Sequence, residues 1–161
     1  MIRDAVISPC GQYRYSLYRC WDKGPRAVFI MLNPSTADHQ KDDPTIRKCI
    51  GFCNIWGYGQ FTVVNLYAYR ATDPKDLKKA GYPVGPDNDL HISEAIQSAA
   101  LVVAAWGAKS RSDRAEYVGR TMHPERALQF QCLGHNNDGS PKHPLMQPYS
   151  AALRSYWVGG W

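Results

Sequence analysis

Five places along the chain carry side chains able to engage a planar polar ligand: Asn33, Asn65, Trp106-Gly107, His135 and His143. An amide both donates and accepts hydrogen bonds, so an asparagine pair suits the edge of a nucleobase or another amide-like ring. A histidine beside them can donate to a developing oxyanion. Tyr67 and Trp106 supply rings that stack on a flat ligand where they line the same cleft. Asp38, Asp42 and Asp43 follow Asn33 closely and offer a general base if their loop folds back toward it. Arg47, Lys48, Lys109, Arg111 and Lys142 flank these positions and can contact phosphates. Cys49 and Cys53 share a helix face, but no further ligand stands at metal-binding spacing, so no metal site is expected.

Four core strands are needed to bring these residues together. Ala27 to Leu32 is an unbroken apolar run between Gly24-Pro25 and Asn33-Pro34, which reads as a buried strand. Pro34 has no N–H to continue pairing and biases Asn33 toward an extended backbone. Phe61 to Leu66 reads as the next buried strand, Leu101 to Ala105 as the third and Ala127 to Leu133 as the fourth. Tyr13 to Cys20 alternates in character, which suggests a half-exposed edge strand, and the following turn permits a hairpin.

Helices fill the intervals. Asp43 caps one, with Pro44 at its first position, Gly57 past its end and a stripe of Ile46, Cys49, Ile50, Cys53 and Trp56. Asp73-Pro74 opens a short basic helix ending at Gly81. Pro86 to Ser98 reads as a helix with Leu90, Ile92, Ala95 and Ile96 facing inward. Ser112 or Asp113 caps another that runs to about Met122, and Ser150 to Trp157 reads as a final short helix. Strands alternating with helices imply a parallel sheet covered on both faces. The expected fold is a three-layer α/β/α sandwich with a central, mostly parallel sheet, one domain over residues 1–161. Right-handed crossovers put the carboxyl ends of such strands on one edge, where ligands bind in open α/β sheets.

A chain of 161 residues fits one domain. Its formal charge of +5 and pI near 9.0 favour anionic partners, nucleic acid first. Five cysteines without a CxxC pair fit free thiols in a reducing cytoplasm. No secretory signal is evident. The longest apolar run, Ala99 to Trp106, falls short of the ~20 residues of a spanning helix, so no membrane partner is expected.

Two resemblances emerge from these residues. MLNPSTAD (31–38), DDPTIRKC (42–49), WGYG (56–59), VVNLYAYRATDP (63–74), VGPDND (84–89), AWG (105–107) and HPL (143–145) resemble a family of bacterial and phage proteins, the domain of unknown function 1643. That resemblance covers most of the chain and implies no established activity. In order, LNPS (32–35), VVN (63–65), AAWGAKS (104–110) and His143-Pro144 also resemble the motifs of the uracil-DNA glycosylase superfamily.

The second resemblance implies a uracil-DNA-glycosylase-like fold and hydrolysis of an N-glycosidic bond to a base, modified or not, in a nucleic acid, DNA ahead of RNA, or in a nucleotide. It implies that Asn33 holds the attacking water, Asn65 reads the base and His143 contacts it, with Leu145 or Met146 wedging into a duplex. An amide cannot take a proton as a carboxylate can, so Asp38 or Asp43 is the candidate base. This chemistry needs no cofactor. Because LNPST stands where many relatives have an acidic motif, a nucleic-acid- or nucleotide-binding protein without catalysis is the alternative. A metal-dependent nucleotide hydrolase using the aspartates of 38–43 is the second.

Overall fold

The first three of these core strands form the centre of a seven-stranded sheet in the computed structural model, which describes residues 1–122 and 130–156. The strands are β1 (Ile2–Ile7), β2 (Arg14–Cys20), β3 (Arg26–Met31), β4 (Gln60–Asn65), β5 (Leu101–Ala104), β6 (Gln131–Cys132) and β7 (Arg154–Ser155), in the spatial order β1-β2-β4-β3-β5-β6-β7. β4, β3, β5 and β6 run parallel, whereas β1, β2 and β7 pair antiparallel. The sheet is therefore mixed rather than mostly parallel. A short connection such as 8–13 can join β1 and β2 only as antiparallel neighbours, since parallel strands need a long crossover.

Side-chain alternation in the central strands separates two cores. Ala27, Phe29 and Met31 pack with Val63, Val103 and the Ile46, Cys49 and Cys53 stripe of helix α1 (Pro44–Trp56). Val28, Ile30, Val64, Val102 and Ala104 pack on the other side, with Leu77 of α2 (Pro74–Lys79), Ile92 and Ile96 of α3 (Asn88–Gln97) and Ala115 of α4 (Ser112–Tyr117). Strands that bury both faces read as continuous apolar runs. Helix α1 has the expected ends: Asp43 Oδ1 accepts from Ile46 N at 2.9 Å, and Gly57 is left-handed at φ 81°.

Several expectations need correction. β2 is interior, covered by β1, and it pairs with β4, so it forms no hairpin with β3. Arg14 and Arg19 are buried here, and charged residues in an alternating strand ordinarily signal an exposed face. Leu90 is 60% exposed, because α3 turns Ile92, Ala95 and Ile96 inward instead. After α4 the chain continues as a π-helical turn, Val118–Met122, with Val118 buried. No helix occupies 150–156; Arg154–Ser155 adds instead as β7 to the edge of β6. Of the expected strand Ala127 to Leu133, only Gln131–Cys132 pairs among the described residues, and 123–129 lie outside them, as does Trp157. Cys49, Cys53 and Cys132 are buried thiols, while Cys10 is exposed. Among the described residues no helix is long and apolar enough to cross a membrane.

Candidate functional site

β3 leads into α1 on one face of the sheet, and β5 leads into α4 on the other, so the chain switches faces between these adjacent strands. Loops diverging from such a switch point leave a crevice at the carboxyl edge. Here it is a cavity of about 500 Å³. Its walls come from the β3 loop (Asn33, Ser35, Thr36), the start of α1 (Asp43, Thr45), the end of β4 (Asn65), Trp106 to Lys109 after β5, and His143 with Leu145.

The β3 and β4 loops are laced together beyond their strands. Leu66 N donates to Met31 O at 2.8 Å, Tyr67 N to Leu32 O at 3.0 Å and Ala71 N to Pro34 O at 2.9 Å. The Asn33 side chain continues this lacing: Nδ2 donates to Ala71 O at 2.8 Å, Pro34 O at 3.1 Å and Tyr69 O at 3.4 Å. Its Oδ1 is the part of the amide left for a ligand or water. This explains why an amide stands here, since a carboxylate would face three carbonyl oxygens with no proton to offer them. Asn33→Asp is therefore expected to lower stability by about 2 kcal/mol, roughly 4–8 °C in Tm, in a thermal melt at neutral pH.

Asn65 is 1% exposed, and neither its Nδ2 nor its Oδ1 has a partner among the described residues. A buried amide left unpaired costs about 1–3 kcal/mol, which makes this pair of atoms the most unusual feature of the cavity wall. The backbone beneath it is firmly held. Asn88 Nδ2 donates to Asn65 O at 2.9 Å and to Leu66 O at 3.3 Å, and Arg114 Nε donates to Leu66 O at 2.8 Å. Arg114 is itself paired with Asp89 at 2.6 Å.

His143 caps the 3-10 turn Pro144–Met146, its Nδ1 accepting from Leu145 N at 3.2 Å. The neutral ring then carries its proton on Nε2. Burial pushes the His143 pKa below its ordinary 6.5, and Asp43 opposes the shift. The sign of the linkage follows from that depression. As pH falls below 6.5 the unfolded chain binds a proton that the folded chain resists, so stability present above 6.5 is lost on the acid side. A His143→Gln variant should lose less Tm than the parent between about pH 7 and pH 5.

A strap fixes the His143 loop to α1. Lys48 Nζ donates to Gln147 O and lies 4.1 Å from the centre of the Tyr149 ring. Gly51 leaves room for that ring, since a Cβ there would stand 2.5 Å from it.

The structure thus brings Asn33, Asp43, Asn65, Trp106, Lys109, His143 and Leu145 around one cavity. Other expected site residues are engaged elsewhere. Asp38 Oδ1 accepts from Gln40 N and Lys41 N, which lowers its pKa, and Asp42 pairs with Arg19 at 2.8 Å. Asp43 is therefore the only aspartate of this stretch on the cavity wall. Among the described residues no group of three or more His, Cys, Asp or Glu side chains is arranged to hold a metal ion. Tyr67 faces the opposite core, where its hydroxyl accepts from Arg111 N at 3.3 Å. Arg111 pairs with Asp113 at 3.3 Å beside a separate cleft lined by Tyr67, Tyr82 and Arg114. Lys48 belongs to the strap, and Arg47 lies on the exposed face of α1, donating to Asp42 O at 3.3 Å. Lys142 and Met146 lie outside the cavity wall, and Met146 is 84% exposed. The Trp106 ring packs edge-on against Tyr156 at 5.4 Å, so it forms wall rather than a free stacking face.

Sequence reasoning missed Arg14. It is 3% exposed, lines the cavity and donates from Nη1 to Ala37 O at 2.7 Å, with Nε unpartnered among the described residues. Burial lowers its pKa to about 10, against the opposing charge of Asp43, so it is a cation at neutral pH. Its only sequence signal was a charge within an aromatic strand.

Searches of curated proteins and of solved structures return no match. A family model described as "Protein of unknown function (DUF1643)" matches residues 14–145, a span that contains every residue lining the cavity. The chain belongs to that family.

Proposed function

We propose that the cavity binds a nucleobase and that the protein hydrolyses its N-glycosidic bond, in DNA or in a nucleotide, on a three-layer sandwich of the uracil-DNA glycosylase type. One observation carries the reading: the buried Asn65 amide, with donor and acceptor both unpartnered among the described residues, lines a cavity of ligand size. A base edge carrying an adjacent acceptor and donor completes it. The departing base gathers negative charge, and the neutral His143 Nε2–H is a donor for that anion. The amino end of α1 and the Arg14 cation add positive potential to the same wall. Asn33 Oδ1 orients water, and the Asp43 oxygen that does not cap α1 is the candidate proton acceptor. A base within a duplex must first leave the stack, at a cost of a few kcal/mol. Leu145, 38% exposed at the cavity, and Met146 beyond it are the apolar side chains suited to fill the gap.

One observation favours binding without cleavage as the second reading. Asn33 Nδ2 and Asp43 Oδ1 are already committed to backbone partners, which leaves one oxygen of each for chemistry. The metal-dependent reading loses its ligand set, because Asp38 and Asp42 are held elsewhere.

Mass spectrometry for free base separates the first two readings, after incubation of the protein with DNA and nucleotides carrying diverse modified bases. Release by the parent, and release weakened roughly 10²- to 10⁴-fold in Asn65→Leu, is the expected result. Stable occupancy without release over long incubation would replace the enzyme by the binding protein.

A further inference from the structure

The cavity adjoins a second recess. Ser35, Ala71 and Thr72 also line an open groove of about 570 Å³, whose other walls are Tyr69, Arg70 and the end of α2 through Asp76, Lys79 and Ala80. Ser35 Oγ and Thr72 Oγ1 lie 3.4 Å apart on the ridge between the two recesses. Two cations, Arg70 and Lys79, line the groove against one carboxylate, Asp76, and Lys75 and Lys78 stand exposed on the same short helix. The contact from Arg70 Nη1 to Gly11 O is long, at 3.4 Å. Of the cations nearer α1 and α4, Lys48 is engaged in the strap and Arg111 and Arg114 in ion pairs, while Arg47 and Lys109 stand exposed.

A base in the cavity remains joined to its sugar and phosphate, which must leave over one of the cavity's walls. We propose that they leave over the Ser35–Thr72 ridge, so that a phosphate joined to the bound nucleoside lies in the groove between Arg70 and Lys79. Ser35 and Thr72 supply hydroxyl donors at the crossing. This rests on the base-binding reading of the cavity and adds the path of the backbone: a single DNA strand runs from the β3 loop toward α2, away from Arg47 and Lys48. Phosphate contacts of this kind position the strand and carry no sequence information.

The test is the salt dependence of binding to a labelled single-stranded oligodeoxynucleotide, measured by fluorescence anisotropy between roughly 50 and 200 mM salt. Each phosphate neutralised on a single strand contributes about 0.7 to the slope of log K against log salt. The Arg70→Gln/Lys79→Gln double variant should therefore flatten the slope by about 1.4 and weaken binding about tenfold at the lower salt. Arg70→Lys/Lys79→Arg should retain both, and melting curves verify that all variants are folded. Competition by a nucleoside and by its 5′-monophosphate identifies the source of the phosphate. A monophosphate advantage that vanishes in the double variant assigns the groove to the nucleotide's own phosphate. A flattened slope without that advantage assigns it to a neighbouring phosphate of the strand. An unchanged slope in the folded double variant overturns the proposed path while leaving the cavity reading intact, and absence of any DNA binding by the parent overturns the path as well. Asn65→Leu keeps the groove cations, so it should weaken binding at an unchanged slope. Full base recognition by that variant would instead overturn the cavity reading.

Discussion

Asn65→Leu is expected to raise the stability of the protein and to remove base recognition in the same step. Leucine has the branching of asparagine without its polar atoms, and the position borders a cavity with room for the added volume. In the parent, two buried polar atoms pass from water in the unfolded chain to a site with no partner among the described residues. Replacing them by methyl groups removes that penalty, so a gain of about 1 kcal/mol or more is expected, a Tm rise of about 2–4 °C. The ligand loses more than the fold gains. A base edge desolvated against two methyl groups has a donor and an acceptor unpaired, each worth about 1–3 kcal/mol, which together weaken binding and release by roughly 10²- to 10⁴-fold. Calorimetry and the base-release assay read the two effects independently. A variant that melts below the parent would mean that Asn65 is satisfied in the fold, and its role in recognition would go with it.

Arg19→Leu should produce the largest loss of stability of any single change considered. Arg19 is fully buried, and its guanidinium ties β2 to the loop before α1. Nε donates to Asp42 Oδ1 at 2.8 Å, Nη2 to Asp38 O at 2.6 Å and Lys41 O at 3.1 Å, and Nη1 to Tyr18 O at 2.9 Å. Leucine fills the space near Cβ and deserts all of these oxygens, leaving the Asp42 carboxylate, among the described residues, only the longer contact to Arg3 at 3.6 Å. Removing one side of a buried ion pair costs about 3–5 kcal/mol, so Tm should fall by roughly 6 to 20 °C. In a double-mutant cycle, Asp42→Asn should recover part of that loss by removing the stranded charge. Additive losses in the cycle would show that the carbonyl bonds, not the ion pair, carry the stability. Because Asp43 follows immediately and caps α1, this loop also sets where the cavity's carboxylate stands.

What could be read in advance divides along a physical line. The runs ending at Asn33, Asn65 and Trp106 are apolar on both faces but for Thr62, and proline or glycine punctuates two of them, so strand, depth and direction were all legible. The same holds for α1, where Asp43-Pro44 and Gly57 are local signals of helix ends. Interactions that depend on distant partners were not legible. β2 looked like an edge because β1, itself mostly exposed, gave no sign that it would cover it. Buried Arg14 and Arg19 are indistinguishable in sequence from solvated ones, since their acceptors at Ala37, Asp38 and Lys41 lie far along the chain. Asp38 looked like a base because proximity to Asn33 in sequence says nothing of the turn that consumes its carboxylate. Tyr67 lies two residues from Asn65, and in an extended backbone that can suggest the same side; the chain has left β4 by then and the ring enters the other core.

The side-chain clamp on the carbonyls of Asn65 and Leu66 bears on how fast a ligand is captured. Asn88 and Arg114 hold this stretch of main chain from behind, so its conformational freedom is surrendered during folding, before any encounter. Capture at such a surface is rigid docking: in stopped-flow mixing, the observed rate should rise linearly with ligand concentration as a single exponential, with no plateau from a preceding rearrangement. Cutting the clamp with Asn88→Ala should restore that freedom and show itself as a second, concentration-independent phase.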